Sequence, residues 1–293
     1  MRRILLASTC LMAVVPAHAQ TTIETKRTDA VRTSTVKAGA PDAIRITTAG
    51  SVTPAGGTAV TIDSVHAVTN EGTVQVTNAD NATGILAVAG TGGGITNSGK
   101  IIVDETYEAT DVDKDGDLDG PFAAGSGRTG IRTAGAYSGA ITNTGAITVE
   151  GNESAGIWLG GPLSGALKTE GTIAVTGTNV VGVRTSDITG NVRLAGTVAA
   201  IGQGAVAVRL DGAITGALVV QGALGATGYR TTTAPADPSS LMPTTCCRAD
   251  RRWSSRATCR AGSSSRCRQR MPARPTMTRT RTGSTTARKD RRR

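Results

Sequence analysis

Aliphatic residues return in one frame along the middle of the chain: an aliphatic residue, three others, a glycine, one more, then a second aliphatic. Val68, Ile95, Ile141, Leu167, Val192 and Leu218 open the frame, and Gly72, Gly99, Gly145, Gly171, Gly196 and Gly222 supply its glycine. Successive openings are 27, 46, 26, 25 and 26 residues apart. About midway comes a second short apolar run: "GIRT" at Gly130, "GIWL" at Gly156, "GVRT" at Gly182 and "AVRL" at Ala207, at intervals of 26, 26 and 25. Two-residue alternation inside each run predicts strands, and a fixed period in the mid-twenties predicts a solenoid. Strands this short bury little alone, but stacked coils pairing in parallel bury a continuous aliphatic column. The expected fold is therefore all-β, a parallel β-helix with coils of about 25–27 residues. Glycines mark its corners, where backbones pack closely. Asn70, Asn97 and Asn143 share one repeat position and predict an inward amide ladder, which Thr169, Leu194 and Val220 end. Some six coils at about 4.8 Å each would extend on the order of 30 Å.

Composition agrees with thin aliphatic layers: aromatic residues are 2 % of the chain and glycines number 38. A leucine-rich horseshoe has a similar period, but its L-x-x-L-x-L pattern and helix-forming stretches are missing. A β-sandwich is the other architecture that short alternating strands allow.

The two ends differ from the repeats. Arg2 and Arg3, the apolar run Ile4–Val15 and the Ala17-His18-Ala19 cleavage pattern read as a secretory signal peptide over 1–19, with the mature chain starting at Gln20. Residues 20–59 read as a lead-in or cap, 60–230 as repeats carrying an acidic insertion at 104–127, and 231–293 as a disordered basic tail. The net charge of +10 is produced by that tail, since residues 242–293 carry 16 of the 32 Lys and Arg against 2 Asp and Glu. Cys10 lies in the signal, and Cys246, Cys247, Cys259 and Cys267 lie in the tail. The tail admits two readings. One is a nucleic-acid or polyanion binder, which conflicts with export and lacks interleaved aromatics. The other is out-of-frame translation beginning near Leu241: shifting the codons by one base turns the Arg, Ser and Cys runs into aliphatic repeat-like phrases.

The phrases "ITNTGAITV" and "GNESAGI", behind an export signal, resemble the passenger region of bacterial autotransporters, over roughly Val60 to Arg230. The resemblance implies a β-helical passenger exported through an outer-membrane β-barrel at the C-terminal end of the same polypeptide. No barrel-type strands with aromatic girdles are legible after Arg230. The expectation is thus an exported, non-enzymatic, adhesin-like surface passenger. It would be truncated before its translocator and periplasmic in this form, with no transmembrane segment of its own. A host or neighbouring-cell surface, or a polysaccharide, would be its partner, and nucleic acid would not. The alternative is a β-helical polysaccharide-acting enzyme, which needs carboxylates and basic groups converging on one face of adjacent coils.

Candidate chemistry is sparse. In "DVDKDGDLDG", Asp111, Asp113, Asp115, Asp117 and Asp119 alternate around Gly116. Oxygen ligands at every second position with a glycine at the bend suit a structural Ca²⁺ loop. Phe122 stands where the bidentate Glu of such a loop belongs, and Glu105 or Glu108 folding back is the expected substitute. A solvated acidic loop is the plain alternative, and a catalytic cation a remote one. His66, the sole histidine after cleavage, reads as a surface residue on a strand, and "AGTGGG" at 89–94 as a turn. Arg132, Trp158, Arg184 and Arg209 occupy one position of successive coils and should form an outward stripe. It is either a grip for an anionic sugar or a solvated face with one stacked pair.

Overall fold

Backbone amides of isolated short strands have no partners of their own, so each coil must hydrogen-bond to the coils above and below it. The structure, a computed structural model that describes residues 20–112, 114 and 118–228, meets this demand with parallel pairing throughout its named strands. It contains no helix among the described residues, and so none long and apolar enough to cross a membrane. The chain winds as a β-solenoid of about eight turns. The first face is an eight-stranded sheet from Gln20–Ile23 to Leu218–Val220, and the second is another of eight strands from Lys26–Arg27 to Ala223–Thr227. The third has seven strands, from Val31–Arg32 to Val206–Leu210. A short ladder of Tyr137–Ser138 and Leu163–Ser164, continued by bridges through Ile188 and Ile214, returns each of these later coils to the first face.

The predicted column is present. Val68, Ile95, Ile141, Leu167, Val192 and Leu218 pair coil to coil, and the first five are fully buried. Ile101, Ile147 and Ile173 line the second face, and Ile85, Ile131 and Ile157 the third, all at zero exposure. Tyr137 is the one buried tyrosine among the described residues; its hydroxyl donates to the Gly93 carbonyl at 3.0 Å, and burial pushes its pKa up to about 12. Asn70 Nδ2 donates to Asn97 Oδ1 and Asn97 Nδ2 to Asn143 Oδ1, each at 2.7 Å, with all three side chains buried. The ladder stops where Thr169 follows, as its sequence pattern predicts.

The corner glycines are there because coils touch backbone to backbone. A Cβ on Gly145 would fall on the Gly99 carbonyl oxygen, and one on Gly171 on that of Gly145. The corner amides are themselves used: Gly145 N donates to Asn97 O at 3.0 Å and Gly171 N to Asn143 O at 3.1 Å.

The coil ladder also covers the stretch 20–59. Thr22 pairs with Arg45 and Ile44 with Val68, so the stack begins at the first described residue. The frame is hidden there because two extra residues separate the first-face strand from its corner: Gly50 follows Ile46 by four positions, whereas Gly72 follows Asn70 by two. Gly50 still stands in the glycine corner, its carbonyl oxygen against Gly72. The stretch 1–19, read as a signal peptide, and the tail 231–293 lie outside the described residues.

Candidate functional site

Three central strands of the third face each present one outward residue. In Thr83–Ala87, Thr129–Thr133 and Ala155–Leu159 every position except the fourth is buried. The fourth positions pair in register, placing Leu86, Arg132, Trp158, Arg184 and Arg209 in one row. The expected stripe exists, and its members interact. Arg132 Cζ lies 4.5 Å and Arg184 Cζ 5.2 Å from the centre of the Trp158 ring, so the indole sits between two guanidinium groups. Cation–π contact restrains both arginines. Arg184 Nε donates to Asp211 Oδ2 at 2.9 Å and Arg209 Nε to Asp211 Oδ1 at 2.7 Å. The Arg209 hydrogen bond first, then that from Arg184 with both positive charges, holds the Asp211 carboxyl below its usual range despite desolvation. Arg132 Nε is buried without a hydrogen-bond partner.

The acidic insertion leaves the coil that carries Arg132, in the connection 105–128 between Lys100–Asp104 and Thr129–Thr133. The corresponding connections in the following coils are 151–154 and 177–180. The ladder closes across the detour, since Ile95 pairs with Ile141 and Ile101 with Ile147. Of the five alternating aspartates, Asp113, Asp115 and Asp117 lie outside the described residues, as does Gly116. Asp111 and Asp119 are described, and Asp119 closes the loop's neck: its Oδ2 accepts from Val112 N at 2.7 Å and its N donates to Thr110 O at 2.9 Å. No group of three or more His, Cys, Asp or Glu among the described residues is placed to hold a metal ion. Phe122 is buried, which accounts for an apolar residue at the position a twelfth ligand would take.

Glu105 is engaged at the coil corner. Its Oε2 accepts from Arg128 Nη1 at 2.7 Å and from Gly125 N at 2.7 Å, and its Oε1 from Ala124 N at 2.6 Å. Both side chains are nearly sealed, at 5 % and 3 % exposure. Arg128 also donates to Glu150 O at 2.6 Å and Ala79 O at 2.9 Å. This clasp ties the two stems of the insertion to the coil corner. Desolvation pushes the Glu105 carboxyl up, but the bonds from Arg128 and the two amides outweigh it and leave the group below its usual range. Glu150 moves the other way: burial first, then the charge of Asp104, raises its carboxyl. The clasp was legible in one respect. Arg128 stands in a corner column otherwise filled by Ala82, Ser154 and Val180, and a cation there needs a buried partner.

His66 lies in the connection between Thr58–Ile62 and Val68–Asn70 rather than on a strand, with Nδ1 3.1 Å from Ser64 Oγ. Ser64 Oγ also donates to Thr33 Oγ1 at 2.8 Å, within a cluster closed by Asp63 and Ser34, so this histidine belongs to a corner network. The 89–94 stretch turns at Ala89 and Gly90 and then bridges from Gly92 to Ser138, with Gly90 and Gly93 at positive φ. Compared with protein-family models, with curated proteins and with solved structures, the chain finds no match.

Proposed function

We propose that the chain is an exported, non-enzymatic β-solenoid of autotransporter-passenger type, a surface scaffold with a structural or adhesive role. One observation carries this reading: outward strand positions of one coil pair in register with those of the next. A row such as Arg132–Trp158–Arg184–Arg209 therefore forms a linear display along the stack. A solenoid of this kind suits extended binding surfaces better than a deep pocket. The partner is a cell surface or a polysaccharide. The test is to express the chain in a Gram-negative host, sequence its N-terminus and digest intact and osmotically shocked cells with protease. A mature chain beginning at Gln20 in the exported fractions supports the reading. An uncleaved chain confined to the cytoplasm overturns it.

The insertion is proposed to take one structural Ca²⁺ on Asp111, Asp113, Asp115, Asp117 and Asp119, which would relieve the repulsion among its carboxylates. Calorimetry with CaCl₂ should show modest affinity, and a flat titration at millimolar Ca²⁺ removes the site.

A polysaccharide-cleaving enzyme is the second reading. In its favour, Asp104 and Glu150 end neighbouring strands that pair Val103 with Val149, Arg128 lies beside them, and the Glu150 carboxyl is raised. New reducing ends appearing in polygalacturonate with the wild-type chain, and absent with Glu150→Gln, would establish it.

A further inference from the structure

We infer that the Arg132–Trp158–Arg184–Arg209 row binds an acidic polysaccharide laid along the stacking direction of the coils. This rests on the reading of the chain as an interaction scaffold and names what the scaffold holds. The first ground is unspent hydrogen-bonding capacity. A guanidinium carries five N–H donors. Arg184 and Arg209 each give Asp211 a bond from Nε, and the Arg132 Nε has no hydrogen-bond partner. Their terminal nitrogens are left for carboxylate or sulfate oxygens, which guanidinium groups bind in pairs.

Charge is the second ground. Residues 20–241 hold 14 Lys and Arg against 20 Asp and Glu, yet three arginines align in register here against one carboxylate. The row is also pre-organised: Trp158 restrains Arg132 and Arg184, and Asp211 restrains Arg184 and Arg209, so less side-chain entropy is lost on binding. Asp211 is a positioning residue in this scheme.

Spacing selects the polymer. Paired parallel strands lie about 4.8 Å apart. A sugar unit in an extended chain advances by a similar distance, so anions on adjacent sugars meet Arg184 and Arg209, and an anion two sugars beyond Arg184 meets Arg132 across the Trp158 rung. Single-stranded nucleic acid fits less well, because it is held by bases stacking on open aromatic faces. Trp158 has a guanidinium within cation–π range on either neighbouring rung. Upstream the row becomes apolar at Leu86 and neutral at Thr61, which sets the upstream edge of the footprint at Arg132.

The test uses the full chain on biosensor surfaces carrying polygalacturonate, dextran sulfate, neutral dextran and single-stranded DNA. The Arg184→Gln/Arg209→Gln double variant keeps the Arg-rich tail constant, so any change reads the row alone. It should bind an acidic polysaccharide about tenfold or more weakly. Leu86→Arg extends the row by one rung and should bind more tightly, which keeps the proposal testable should the double variant misfold. A preference for polygalacturonate or for dextran sulfate tells carboxylated from sulfated sugars. Wild-type affinity in both variants overturns the proposal while leaving the scaffold reading intact. A loss on single-stranded DNA as large as on the polysaccharides also overturns it. Shortening of bound polygalacturonate would sink the non-enzymatic reading without touching the row.

Discussion

Asn97 shows what a single buried amide does when its neighbours are amides too. It accepts from Asn70 and donates to Asn143, both at 2.7 Å, so removing it strands a buried donor and a buried acceptor at once. Asn97→Leu should destabilise by about 2–4 kcal/mol, the cost of two unsatisfied groups. The triple change of Asn70, Asn97 and Asn143 to Leu should recover most of that loss, because no amide is then left unpaired. Ile46 and Leu194 already fill the same column in flanking coils, which shows that it accepts aliphatic volume. Urea unfolding of the two variants checks this, and a triple variant weaker than the single would count against the ladder account. Glu153 is a different case. The corner between the second and third faces repeats a left-handed residue, with Asn81 (φ 54°), Gly127 (φ 71°), Asn179 (φ 57°) and Gly204 (φ 71°) in that place, and Glu153 at φ 52°. Glutamate tolerates this region poorly, so Glu153→Gly should stabilise by about 0.5–1 kcal/mol, read as a higher denaturation midpoint. The Asn ladder was visible in the sequence because its residues repeat. Asp211 was not, because it acts across two coils from a single copy.

At the scale of elements, the insertion is a lesson in what periodicity can and cannot show. The 46-residue interval between Ile95 and Ile141 announced a detour, and in-register pairing on both sides confirms that the coil is undisturbed by it. Its anchor could not be read from spacing alone, since Glu105 and Arg128 are 23 residues apart and meet only when the corner closes. The same corner contains two carboxylates with opposite pH behaviour. Glu105 is depressed in the folded state, so its contribution is present above the ordinary glutamate value of 4.5 and is lost as pH falls through its folded pKa. Glu150 is raised from that same value, so it favours the fold below 4.5 and costs stability as pH rises through its folded pKa. Glu150→Gln should therefore raise the melting temperature at pH 7 and leave it unchanged near pH 3. Glu105→Gln should instead open the insertion to protease at pH 7. Equal protease sensitivity in wild type and Glu105→Gln would show that the clasp does not hold the loop.

For the whole coil stack, the question is whether it behaves as one cooperative body or as a line of neighbours. Each coil bonds only to the coil before and the coil after, so stability should be close to a sum of coil and interface contributions. The stack is also uneven. The coils around Val68–Asn70, Ile95–Asn97 and Ile141–Asn143 combine fully buried aliphatics with the amide ladder, whereas Leu210 in the last third-face strand and Leu218 and Val220 in the last first-face strand are 41–50 % exposed. Hydrogen exchange should be fastest over 206–227 and slowest through the central coils. The corner glycines give a sharper test, because the same insult can be placed at both locations. A Cβ at Gly145 would collide with the Gly99 carbonyl oxygen, and a Cβ at Gly222 with that of Gly196. Backbone atoms cannot rotate away as a side chain can, so each Gly→Ala change forces its coil off its neighbour. In a linear stack, Gly222→Ala costs no more than the stability of the last coil, and exchange should quicken only over 206–227. Gly145→Ala breaks the contact between two well-buried coils and should cost about 3 kcal/mol or more, with faster exchange spreading to both sides. If the two variants lose equal stability and exchange quickens everywhere in both, the coils unfold as one unit and the nearest-neighbour description fails.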